Sequence, residues 1–199
     1  GLEFPETLKN VADVAEKYGL SVISESGSEE FWQGFAVQGP PAVDYRWCCK
    51  SCKLSPVRRI IENTWGEAVS FIGQRKFESA KRMQSPRVWR NKNVLCQLSA
   101  APIQHWTAMH VWLYLFREGA PYNPLYELGL DRIGCFMCPS SDIACMKEIA
   151  ARYPEMWADW EAKLSAWGDE HGMPAEWAEK SLWRIRERNE EDADTDSHF

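Results

Sequence analysis

Apolar positions Leu8, Val11, Ala12, Val14 and Ala15 recur at helical spacing between Pro5 and Gly19. They predict a first helix that opens at Pro5 and closes at Gly19. Leu20 to Ile23 is short, apolar and partly β-branched, and predicts a strand. The stretch from Glu29 to Pro41 is broken by Gly34, Gly39 and the adjacent prolines Pro40 and Pro41. It predicts a short helix and then a loop that delivers the chain to Cys48. Pro56 opens a second helix through Val57, Ile60 and Ile61, and Ala68 to Ile72 predicts a buried strand ending at Gly73. Val94 to Leu98 predicts another strand, and Thr107 is the expected N-cap of a helix through Val111, Trp112, Tyr114 and Leu115 to Gly119. Beyond Cys138, apolar periodicity predicts helices over 142–152, 155–168 and 175–188.

Strands alternating with helices predict an α/β layer fold with a largely parallel sheet, and the last segments add a helical extension. At 199 residues the chain suits one such domain with an appended helical piece. The final EEDADTDSHF has too little apolar content to pack, so 189–199 is expected to be a disordered acidic tail. Eleven tryptophans are many for this length, but Trp157, Trp160 and Trp167 fall with Leu164 in helical periodicity and are expected in the core. No apolar run reaches the roughly 20 residues that span a bilayer. The opening GLEFPETLKN lacks the basic flank and apolar core of a signal peptide, so a cytoplasmic protein without a membrane partner is expected.

Charge changes this picture because it is segregated along the chain. The net charge is −6, which disfavours a free-standing nucleic-acid binder. Yet Arg46 to Lys92 carries twelve Lys/Arg against Glu62, Glu67 and Glu78, while Asp169 to Phe199 carries ten Asp/Glu against four Lys/Arg. The middle of the chain attracts an anion, unless its cations form a merely solvated face.

Seven cysteines in a chain of this size are an odd and unevenly placed set, better explained by metal ligation than by disulfides. WCCKSCK supplies Cys48, Cys49 and Cys52; RIGCFMCP supplies Cys135 and Cys138. CxxC spacing lets two thiolates converge on one metal. A tetrahedral zinc would take Cys49, Cys52, Cys135 and Cys138 and cross-link two segments. An iron–sulfur cluster could use Cys48 and Cys49 together, leaving Cys52 as a spare thiol or replacement ligand. Cys96 and Cys145 read as small apolar residues.

GQRKFESAKR places Gly73 at a strand end and then Arg75, Lys76, Glu78, Ser79, Lys81 and Arg82 in one turn-and-helix segment. Gly permits close backbone approach, a helix start offers N–H groups, and Arg presents a planar fork to phosphate or sulfate oxygens. Glu78 and Ser79 would orient the guanidinium groups or bond the ligand. Ligands of open α/β sheets bind outside the carboxyl ends of the strands, where Gly73 is expected. His105 and His110 are read as packing or capping residues without a catalytic role, and PYNPLYELG as a rigid turn before the second cysteine pair.

In order and spacing, WCCKSCKLSP, GQRKFESAKR, PIQHWTAMHVWLYL and PYNPLYELGLDRIGCFMCP resemble the phosphoadenosine phosphosulfate (PAPS) reductase family, especially its archaeal-type members, over about residues 1 to 140. The resemblance implies part of an adenine nucleotide alpha-hydrolase-like (PP-loop) fold, with 1–150 as the C-terminal portion of the α/β domain and 151–188 as a helical extension. It implies an adenine nucleotide or sulfonucleotide ligand and a 4Fe–4S cluster on Cys48, Cys49, Cys135 and Cys138. By the same carry-over Arg75, Glu78, Ser79 and Arg82, after Gly73, match the block that contacts sulfate and phosphate.

Two departures qualify the carry-over. The family's Ser-Gly-Gly-Lys-Asp-Ser type phosphate loop is absent, so the chain is expected to be a fragment that begins after it. No cysteine follows Cys145, whereas sulfonucleotide reductases attack sulfate sulfur with a cysteine near their C-terminus; Cys52 is left as the candidate nucleophile. The expected activity is nucleotide-dependent sulfur chemistry such as sulfonucleotide reduction, with the electron donor open. The alternatives are an ATP-dependent sulfurtransferase thiolating RNA or a small molecule, and a non-catalytic zinc or iron–sulfur module.

Overall fold

The computed structural model describes residues 2–130 and 132–186. In chain order the elements are α1 (Pro5–Tyr18), α2 (Ser28–Gln38), α3 (Trp47–Cys49) running into a π-helical turn (Lys50–Leu54), α4 (Ser55–Thr64), β1 (Ala68–Phe71), a 3-10 turn (Lys76–Glu78), α5 (Ala80–Gln84), β2 (Val88–Arg90), β3 (Gln97–Ala100), α6 (Ala108–Arg117), a 3-10 turn (Pro124–Tyr126), α7 (Ile143–Arg152), α8 (Pro154–Glu170), α9 (Glu176–Glu179) and a last 3-10 turn (Leu182–Arg184). They form two compact units. Among the described residues, one draws on 2–5, 26–53 and the part after 123; the other is Glu6–Glu25 with Leu54–Asn123.

The second unit holds the sheet, in the order β1-β3-β2. β1 and β3 are parallel, with Ala68 opposite Gln97 and Phe71 opposite Ala100. β2 runs antiparallel to β3, with Trp89 opposite Ser99, so the sheet is mixed rather than largely parallel. The link from β2 to β3 spans only 91–96, far short of the dozen or so residues that a parallel crossover needs. Asn91 makes that turn: its side-chain oxygen accepts from the Asn93 and Val94 N–H groups at 2.9 and 3.2 Å. Val94 is thereby held in the turn, fully buried, and the expected strand starts later, at Gln97.

Local signals fix the helices of this unit. Pro5 begins α1, and Gly19 stops it with φ +61°. Thr107 caps α6 reciprocally with His110, which gives that histidine the capping role expected of it. Leu20 to Ile23 form no strand; Leu20, Val22 and Ile23 are all more than half exposed. Without a ladder partner, β-branched composition does not make a strand. Val69 and Phe71 on β1 and Val88 on β2 are exposed as well.

The first unit is built on a large aromatic core. Phe4, Phe31, Leu125, Met137, Ile149, Trp160 and Leu164 are nearly or wholly inaccessible, and Trp157 and Trp167 pack against the same cluster. α8 therefore presents its tryptophan stripe inward, as its spacing predicts. The Trp160 ring lies 5.5 Å from Phe35 and 5.2 Å from Trp183, both edge-on. α7 is capped by the Asp142 side chain, which accepts from the Cys145 N–H at 2.7 Å. The helix expected over 175–188 is shorter. It stops at Glu179 because Ser181 takes a left-handed φ of 54°, and only a 3-10 turn follows. Residues 189–199, read as a tail, lie outside the described residues.

Candidate functional site

Cys48 and Cys49 sit on α3 and Cys52 on the π-helical turn that continues it. Cys135 and Cys138 close a tight turn in which the Cys138 N–H donates to the Cys135 carbonyl at 3.1 Å. Three contacts hold that turn. Glu3 pairs with Cys135 in an isolated antiparallel bridge, the Phe136 N–H donates to the Leu2 carbonyl at 3.0 Å, and the Arg184 guanidinium donates to the carbonyls of Pro139, at 3.0 Å, and Ser141. All five thiols line one cavity, whose wall also includes Gly27, Phe31, Met137 and the cations Arg46, Lys53 and Arg132. The structure thus brings together Cys48, Cys49, Cys135 and Cys138, with Cys52 on the same wall. Cys96 and Cys145 do not line this cavity.

Cysteine sulfurs are the donors that a zinc ion or an iron–sulfur cluster takes, and three cations stand beside them. Cys49 is drawn down to about 6 by a hydrogen bond from Cys48 and, against the cost of burial, by Lys53, Arg46 and Arg132. Its neighbour Cys48 is held protonated, first by that shared hydrogen bond and then by burial. Burial pushes Cys52 up to about 11 and raises Cys135 as well. The cavity volume is about 100 Å³; one water needs only about 10–15 Å³, so a group of several atoms is accommodated. Among the described residues no three His, Cys, Asp or Glu side chains stand close enough to hold a single ion.

The segment from Gly73 to Arg82, expected to bind an anion, lies in the other unit. Ile72 extends β1 by donating its N–H to the Ala100 carbonyl at 2.8 Å, and Gly73 follows. A Cβ built at Gly73 would meet only Ile103, at 4.0 Å, so the space over this backbone is open. Glu78 organises the segment. It accepts from the Arg75 N–H at 3.1 Å, from Arg75 Nε at 3.0 Å and from the Arg82 guanidinium. Burial opposes the charge of Glu78, but the bonds from Arg75 and Arg82 hold its carboxyl below the usual range. The Ser79 hydroxyl is used as the N-cap of α5, accepting from the Arg82 N–H at 3.2 Å. Arg75, Glu78, Ser79 and Arg82 are therefore one bonded set. The helix they start is only the five residues of α5.

Arg46, Arg132, Glu3 and Arg184 are site residues that the sequence analysis did not single out. A signal for two of them was present: an arginine precedes each cysteine pair, in RWCC and RIGC. Arg184 and Glu3 act through backbone contacts that no spacing reveals. No helix among the described residues is long and apolar enough to cross a membrane.

The chain is 46% identical over 191 residues to an uncharacterized protein of Methanocaldococcus jannaschii, covering 96% of this chain and 40% of that one. A second uncharacterized protein of the same organism is 31% identical over 188 residues, covering 94% and 44%. The chain thus spans less than half the length of these two relatives. An adenosine 5'-phosphosulfate reductase of Geobacillus kaustophilus is 29% identical over 151 residues, 71% of this chain and 61% of that one. Among solved structures, the phosphate complex of phosphoadenylyl-sulfate (PAPS) reductase from Candida auris aligns at a TM-score of 0.49 and 22% identity, covering 69% of this chain and 66% of that one. The phosphoadenosine phosphosulfate reductase domain matches residues 1–141, a span that contains both cysteine pairs and the segment from Gly73 to Arg82. The chain belongs to the phosphoadenosine phosphosulfate reductase family and has the adenine nucleotide alpha-hydrolase-like (PP-loop) fold of that family.

Proposed function

We propose that this chain serves nucleotide-dependent sulfur chemistry, reduction of a sulfonucleotide in the first place, with a 4Fe–4S cluster held by Cys48, Cys49, Cys135 and Cys138. The observation that carries the reading is the single cavity onto which both cysteine pairs open, within a span matched by the family's domain. When bound, such a cluster supplies a polynuclear centre whose charge and potential the surrounding side chains tune. Arg46, Lys53 and Arg132 favour the Cys49 thiolate, and Phe31 and Met137 supply apolar wall.

In the other unit, Arg75 and Arg82 are the anion-binding pair. Glu78 holds both guanidinium groups in one orientation, and Ser79 fixes the backbone from which Arg82 projects. Their forks match the oxygens of a sulfate or phosphate group, and Gly73 leaves the adjacent backbone open to it. A sulfonucleotide offers such oxygens at its sulfuryl and phosphoryl groups. Cys52 is the candidate nucleophile, and the electron donor is a separate partner.

Thermal unfolding of the anaerobically purified chain tests this reading. Adenosine phosphosulfate should raise Tm in the wild type and leave R75A/R82A unmoved. A shift with ATP alone would favour the thiolating alternative, and no shift with either nucleotide would contradict the nucleotide assignment.

A further inference from the structure

A 4Fe–4S cluster takes four cysteines, and this cavity has five on its wall. The surplus lies on one continuous helical segment, α3 with the π-helical turn, which carries Cys48, Cys49 and Cys52. Residues four apart on a helix stand about one turn apart, as Cys48 and Cys52 do, while Cys49 shares a thiol hydrogen bond with Cys48. A π-helical turn inside a helix is a rare feature found mostly at functional sites, and here it sets the height of Cys52. The backbone of Cys52 is pinned from the other side: a Cβ at Gly27 would stand 2.6 Å from the Cys52 Cα. The fifth thiol is therefore held at the cavity by the fold and is not a stray surface residue.

Two overlapping ligand sets follow from this arrangement. One is Cys48, Cys49, Cys135 and Cys138; the other is Cys49, Cys52, Cys135 and Cys138. Cys49, Cys135 and Cys138 are common to both. We infer that Cys52 is a reserve ligand: it stands unligated one turn beyond Cys48 while Cys48 binds metal, and takes the fourth position when the Cys48 thiol is removed. The inference rests on the metal-site reading above. It assigns Cys52 a duty that a nucleophile alone would not have, because a pure nucleophile never becomes protected by metal.

The test uses the whole chain purified without oxygen, as wild type, C48S, C52S, C48S/C52S and C49S. Iron, acid-labile sulfide and zinc are measured, and iodoacetamide labelling with peptide mass spectrometry reads each thiol. The expected result is that C48S and C52S each keep most of the wild-type metal, while the double variant and C49S lose it. In the wild type Cys52 should be labelled and Cys48 protected; in C48S, Cys52 should become protected. Loss of metal from C48S as complete as from the double variant, or Cys52 labelled equally in wild type and C48S, would overturn the inference, as would loss of metal from C52S alone. Zinc in place of iron in the wild type would defeat the cluster reading instead, and metal retention in the same variants would still decide whether Cys48 and Cys52 alternate.

Discussion

Gly27 lies directly against the backbone of Cys52: a Cβ built on Gly27 would stand 2.6 Å from the Cys52 Cα and 2.8 Å from its carbonyl oxygen. Backbone cannot move aside as a side-chain tip can, so the start of α2 and the π-helical turn touch only because residue 27 is glycine. G27A should destabilise the chain by about 1–3 kcal/mol through overpacking and displace Cys52 from the cavity. Urea unfolding with metal analysis checks this; unchanged stability would mean the two segments are not in register.

Glu78 sets the pH range over which the Arg75–Arg82 pair stays organised. Its carboxyl lies below the ordinary value of 4.5 in the folded chain. A depressed carboxyl contributes stability above its unfolded value and loses it as pH falls through the folded one. The bonded set should thus be intact at neutral pH and open only in acid, with a carbon-13 NMR midpoint for Glu78 below 4.5. E78Q should leave Arg75 and Arg82 in place but misaligned, weakening adenosine phosphosulfate binding more than tenfold by a loss of about 1.4 kcal/mol or more.

In metal-free chain the thiolate is the reactive form, so alkylation rates report the cavity's electrostatics. Cys49 should reach half its limiting rate near pH 6, while Cys52 should do so only near pH 11. Removing Lys53, the cation that lowers Cys49 most, should move the Cys49 midpoint upward and slow its labelling at neutral pH.

Trp160 is wholly buried among Phe31, Phe35 and Trp183. Truncation to alanine should cost about 3–5 kcal/mol, measured by denaturant midpoint, and release metal only as the unit unfolds. Metal loss from a variant of full stability would argue that Trp160 acts on the site directly.

Much of this molecule was legible where local chemistry decides structure. Pro5 and Gly19 bounded α1, Thr107 capped α6, Asp142 preceded α7, and the period of Trp157, Trp160, Leu164 and Trp167 identified the buried face of α8. Both cysteine pairs and the glycine-led arginine block were visible as spacing. What was hidden depends on partners distant in sequence. β2 is three residues inside a basic run and exists through its ladder with β3, while Leu20 to Ile23 had the right composition and no partner. Ser181 ends α9 by a backbone conformation that no residue preference announces. Arg184 reaches the cysteine turn from the far end of its unit.

The central claim is that both cysteine pairs hold one iron–sulfur cluster, and metal content tests it most directly. Chain purified without oxygen should carry about four irons and four sulfides on its four cysteine ligands, with visible absorption that disappears in C135S and C138S. One zinc and no sulfide, or iron unaffected by those two substitutions, would contradict the account.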